Sequence, residues 1–183
     1  DWGYLGNVNP DWTGGLGTEL KYKNWSLSAL FGFQHGGVVY SRTYIEGMRN
    51  GSLKETLKWR QADGAGMIIA DGIDVDTGEK NEVAVPVRNF VQAYYDNDMI
   101  ATFDASYVKL RELKISYSFP KRWLEKTPLK NVSLSAFGRN LFLWTKVPNI
   151  DPEVASYDGQ LKGIETMSLP STRSMGFNIN VTF

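Results

Sequence analysis

Hydrophobic and polar positions alternate strictly at the end of the chain. Met175, Phe177, Ile179, Val181 and Phe183 are apolar, while Gly176, Asn178, Asn180 and Thr182 between them are small or polar. A period of two marks a strand with one apolar and one wet face. Four earlier segments carry the same period. Leu16, Thr18, Leu20 and Tyr22 alternate with Glu19 and Lys21 over residues 15–22. After a tight turn at Lys23-Asn24, the residues Trp25, Leu27, Ala29, Phe31 and Phe33 alternate with Ser26, Ser28, Leu30, Gly32 and Gln34 over 25–34. Together these two predict a hairpin. A third segment, 106–119, sets Leu113, Ile115, Tyr117 and Phe119 against Lys114, Ser116 and Ser118. Its first half, with Val108 and Leu110, is out of phase, which predicts a bulge near Arg111-Glu112. The fourth, 131–139, sets Val132, Leu134 and Ala136 against Ser133 and Ser135.

The connections alternate in length. The first is the two-residue turn and the third is Pro120 to Lys130, whereas residues 35–105 and 140–173 fill the other two. Transmembrane barrels pair short periplasmic turns with long extracellular loops, and their last strand closes the barrel. On that pattern the short turns and the C-terminus share the periplasmic side. Tyr22, Trp25, Tyr117, Phe119, Trp123 and Phe183 then fall at one rim and are expected as a membrane-interface girdle. The competing reading is that aromatics simply favour strands. Glu19, Lys21, Ser26, Ser28, Gln34, Lys114 and Ser116 are expected to face a wet lumen. Within the loops, Thr43-x-x-Glu46 and Ser52-x-x-Glu55 read as capping boxes opening two short helices, the second running toward Trp59. A chain that starts without a signal segment and stops on a bare Phe183 predicts an upstream portion that closes the barrel.

Composition narrows the choices. Twenty basic and twenty acidic residues leave no net charge, which argues against a nucleic-acid binder. No cysteine is present, so disulfides and thiolate metal sites are excluded. No apolar run approaches the roughly 20 residues of a membrane helix. The 13% of aromatic residues suits either a membrane barrel or a soluble β-sandwich that binds carbohydrate. Nothing resembles a catalytic set or a cofactor motif, so a non-enzyme is expected. His35, the lone histidine, reads as a solvated loop residue rather than a pH sensor. Asp71, Asp74, Asp76 and Glu79 have oxygens suited to calcium but lack the spacing of an EF-hand, so a solvated acidic turn is the expectation. The functional candidates are the loop aromatics Trp59, Tyr94, Tyr95, Trp144 and Tyr157, which would stack on sugars, grip a partner, or pack the loops together.

Several segments are similar to the C-terminal part of SusC/RagA-type TonB-linked outer-membrane transporters of Bacteroidetes. They are Gly6-Asn7-Val8-Asn9-Pro10-Asp11-Trp12-Thr13-Gly14-Gly15, then Ser106-Tyr107-Val108-Lys109-Leu110-Arg111-Glu112-Leu113 running on to Tyr117-Ser118-Phe119-Pro120. Gly138-Arg139-Asn140-Leu141-Phe142-Leu143-Trp144-Thr145, Asp151-Pro152-Glu153 and the terminal strand follow in the family's order, and the Asp71-to-Asn81 turn also resembles a family loop. Asp151-Pro152-Glu153 is read as a loop-opening turn without chemistry. The resemblance implies an all-β fold: the last five strands of one of the 22-stranded plugged barrels, the plug being absent from this chain. It also implies import of oligosaccharides or peptides, energised through TonB, beneath a SusD-like lipoprotein lid.

Overall fold

The computed structural model of the chain describes residues 3–59, 66–155 and 162–183. Its first elements are β1 (Trp12–Tyr22), β2 (Trp25–His35), β3 (Val38–Ser41), α1 (Arg42–Arg49), β4 (Met67–Ile69), β5 (Ala84–Pro86) and α2 (Val87–Tyr94). There follow β6 (Thr102–Asp104), β7 (Tyr107–Ser118), α3 (Lys121–Leu124), β8 (Asn131–Thr145), β9 (Ile164–Glu165) and β10 (Ser174–Thr182). The five long strands make one antiparallel sheet in the order β1-β2-β7-β8-β10. The sheet is open, with β1 and β10 at its edges.

Local chemistry explains the register. Lys23 takes a positive φ of 52°, the backbone twist a two-residue hairpin turn requires. The Asn24 side-chain amide donates to the Ser118 carbonyl at 2.7 Å, and the Ser118 N–H donates back to Asn24 at 2.8 Å, which pins the turn to the end of β7. The expected bulge is present: Leu110 faces Phe31 and Glu112 faces Leu30, leaving Arg111 as the extra residue. β8 answers with its own extra pair, Asn140-Leu141, between Arg139 and Phe142. Asn140 has φ 51° and donates to the Thr172 carbonyl at 3.0 Å.

That second irregularity corrects one sequence expectation. Residues 140–145, read as loop, continue β8 to Thr145. The run Leu141-Phe142-Leu143-Trp144 is apolar on both faces, so alternation could not show the strand continuing. Residues 35–105, read as loop with helices, also hold short strands, and residues 140–173 hold one more. β3 lies between β6 and the parallel β9, and β4 pairs with β5. The capping boxes are corrected too. Ser41, not Thr43, caps α1, its hydroxyl accepting from the Tyr44 N–H at 3.1 Å. The segment toward Trp59 is a 3-10 helix, Lys54–Trp59, and the Glu55 carboxylate accepts from the Asn149 side chain.

The packed core lies in this loop lobe, not on the large sheet. Ile45, Met48, Val91, Tyr95 and Ala101 are buried there against Tyr44, Trp59, Phe90 and Phe103. The apolar rows of the large sheet stay open: Phe177 is 83% exposed, Ile179 67% and Leu20 63%. Among the described residues no second sheet stacks on them, so the β-sandwich alternative has no counterpart in the fold.

Candidate functional site

Directly paired residues share a face and neighbours along a strand alternate, so the register assigns every side chain of the sheet. One face carries the cross-strand row Leu20, Leu27, Ile115, Ala136 and Phe177, and beside it Tyr22, Trp25, Tyr117, Leu134 and Ile179. The opposite face carries Lys21, Ser26, Ser116, Ser135 and Asn178, and beside it Glu19, Ser28, Lys114 and Phe137. Gln34, opposite Tyr107, lies on this polar face as well. The residues expected to be wet therefore share one side of the sheet.

Each end of the apolar face has an aromatic rim. At the short-turn end Trp25 and Tyr117 meet at 4.8 Å between ring centroids, Tyr117 and Phe119 at 5.3 Å, and Phe119 and Trp123 at 6.0 Å. Tyr22 lies opposite Trp25, and Phe183 follows β10 at the same end. At the loop end Trp12 stacks on His35 at 5.7 Å, and Phe142 stacks on Trp144 at 5.8 Å. This second rim was missed in the sequence because Trp12 fell just before the expected strand and Trp144 just after one. Trp144 is thus corrected from a loop residue to an aromatic on the apolar face of β8, opposite Val108. β1, with 11 residues, rises about 33 Å from one rim to the other.

Where β7 and β8 approach the loops, the polar face holds a charged cluster. The Lys109 ammonium lies 2.6 Å from Asp151 Oδ2 and 2.7 Å from Glu153 Oε2, and the Lys109 and Asp151 side chains are only 5% and 4% exposed. Arg111 donates to both Glu153 oxygens, and the Tyr107 hydroxyl donates to Oε1 at 2.9 Å. The bulge sets this up. It keeps Arg111 on the polar side between Lys109 and Glu112, and it sits beside Gly32, where a Cβ would overlap the guanidinium. Burial raises the Glu153 pKa, but the hydrogen bonds from Lys109, Arg111 and Tyr107 outweigh it and hold the carboxyl below its ordinary range. Asp151-Pro152-Glu153 is therefore more than a turn, since it supplies both carboxylates of the cluster.

A third carboxylate fastens the lobe. Glu165, fully buried, accepts from the Ser41 hydroxyl at 3.0 Å, the Thr43 hydroxyl at 2.7 Å, and the backbone N–H groups of Thr43 and Ser168. No local motif announced it.

The loop aromatics divide. Tyr95 is 5% exposed inside the lobe core, where burial and Tyr44 raise its pKa, so it packs the lobe and is not free to meet a ligand. Trp59 is half-buried against Phe90 and Tyr95, with the Lys58 ammonium over its ring at 4.5 Å. Tyr94 is 47% exposed and stacks on Phe90. Tyr157 lies outside the described residues. His35 ends β2 rather than opening a loop, and its Nδ1 lies 3.3 Å from Asp11. Asp71, Asp74, Asp76 and Glu79 are not drawn together, and no group suited to a metal occurs among the described residues. Asp74 Oδ1 is occupied by the N–H groups of Asp76 and Thr77, which close the turn and lower its pKa.

No protein-family profile matches the chain. It is 28% identical over 186 residues to TonB-dependent receptor P3 of Formosa agariphila, covering 98% of the chain and 17% of the relative. TonB-dependent receptor P26 of the same organism is 26% identical over 184 residues, covering 98% and 18%. The chain thus spans about a sixth of the length of the curated relatives it matches. Among solved structures it resembles the RagAB peptide importer in its closed-closed state, with TM-score 0.66 and 21% identity over 96% of this chain and 18% of that one. The open-open state gives 0.63, also at 21% identity, over 96% and 17%.

Proposed function

We propose, from the premise that this chain is a piece of a SusC/RagA-type TonB-dependent transporter, that it forms one sector of the wall and mouth of an outer-membrane nutrient importer. The observation that carries this reading is a single sheet, oily on one face between two aromatic rims, charged on the other, and unpaired at both edges. In hydrocarbon an unpaired strand edge costs several kcal/mol per polar group, so β1 and β10 each find a further strand. The oily face then meets lipid, the charged face lines the lumen, and the short-turn end with Phe183 lies in the periplasm. Tilted by the ~40° usual in such barrels, the rise of about 33 Å along β1 would span about 25 Å, the height of their apolar band.

The loop lobe lies at the outer mouth on this reading. Tyr94 and the partly buried Trp59 are its candidates for contact with a solute or with a SusD-like lid. The solute class is an oligosaccharide or a peptide. The proposed task is passage rather than catalysis, as the TonB-dependent receptor relatives suggest.

The test is cysteine scanning of the full-length transporter in outer membranes. A water-soluble maleimide is expected to label Ser28→Cys, Lys114→Cys and Asn178→Cys, and to spare Leu27→Cys, Leu113→Cys and Phe177→Cys. Equal labelling of both sets would overturn the reading. Uptake of fluorescent peptide and oligosaccharide ladders by cells with and without the transporter then assigns the solute class.

A further inference from the structure

We infer that the Asp151-Pro152-Glu153 turn is a fixed constriction, folded from the wall over the mouth of the lumen, that limits the size of the solute admitted. The inference rests on the importer reading, which makes the polar face the lumen. Lys109 lies on that face, opposite Gly32 and Leu143, and both carboxylates of the turn close on its ammonium. The turn therefore leans inward over the polar side and not outward over the apolar one.

Three features make it a rigid part of the wall. Lys109 and Asp151 are shut away from water, so an opening motion would strand buried charge. Glu153 is held by three side chains of β7, and two of these residues, Tyr107 and Lys109, are paired on both sides in the sheet. The same connection is fastened again at Glu165, which ties β9 into the lobe beneath α1. Within the cluster two cations meet two carboxylates, so it has little net charge with which to attract a solute. Its effect on passage is one of shape.

The experiment uses the full-length transporter in cells, fed the peptide and oligosaccharide ladders. Lys109→Ala combined with Asp151→Ala removes both the buried pair and the packing of its side chains, and Glu153→Gln releases Arg111 with almost no change in shape. Spin labels at Ser28→Cys and Val154→Cys report whether the turn is freed. The expected result is a broadened label distance together with a shift of the longest accepted oligomer to greater length. A freed turn with an unchanged length limit overturns the constriction. So does an unbroadened distance in both variants, because the cluster would then not be what holds the turn. Should the double variant not reach the outer membrane, Glu153→Gln decides the matter by the same two readouts. Failure of the wild-type labelling pattern, by contrast, counts against the importer reading itself.

Discussion

Lys109 shows how much one side chain depends on its partners. A buried ion pair is often no stronger than an apolar pair of equal volume, yet removing one member leaves the other stranded. Lys109→Met alone is expected to cost ~3–5 kcal/mol of unfolding free energy in vesicles, measured by urea titration. The double replacement with Asp151→Leu should recover most of that. Gly32→Val is expected to expel the Arg111 guanidinium and weaken the hold on Glu153, visible as faster amide exchange at Val154. Acid acts on the same group. The Glu153 carboxyl titrates below its ordinary 4.5 when folded, so its contribution is complete above that value and fades as the pH falls through the lower folded one. Val154, whose N–H bonds the Asp151 carbonyl, should therefore lose exchange protection as the pH falls below the ordinary carboxylate range.

Among the elements, α1 depends on residues far away in sequence. Ser41 caps it, and the Ser41 hydroxyl is in turn oriented by Glu165, its partner on β9 from 124 positions further along the chain. Ser41→Ala should lose about 1 kcal/mol of local stability. Glu165→Ala leaves several donors unmet at ~1–3 kcal/mol each and should release both α1 and β9, as read by exchange protection over residues 42–49. The strands behave differently. Their hydrogen bonds run to neighbours across the sheet, and the paired bulges at Arg111 and Asn140-Leu141 change facing without breaking the ladder.

On the importer reading, the sheet as a unit has a depth profile. A charge on the lipid face costs about 2–4 kcal/mol at mid-height but only ~0–1 near the interfaces. Leu113→Arg, midway along β7, is therefore expected to destabilise the folded transporter far more than Trp144→Arg at the loop-side rim, by urea titration in vesicles. Equal costs would mean that the two rims do not bracket the bilayer. The open edges carry a related consequence: expressed alone, the segment is expected to aggregate, since unpaired edges recruit further strands.

The five strands, the short-turn rim and the bulge at Arg111 were legible along the chain, because period-two alternation is a local property imposed by two different solvents on one backbone. Where both neighbours are apolar, as at Leu141 to Trp144, that signal vanishes, and the second rim vanished with it. The charged cluster and the Glu165 hub were silent for another reason. Lys109 meets Asp151 across 42 positions and Ser41 meets Glu165 across 124, and nothing in a segment reveals which distant charge will fold onto it. Burial decided the aromatics likewise: Tyr94 and Tyr95 are adjacent and alike in sequence, but packing against Tyr44 and Trp59 turns Tyr95 inward, while Tyr94, stacked on Phe90, stays half-exposed. Alternation records which solvent each face meets, whereas the partner of a buried charge is chosen when the chain closes in space.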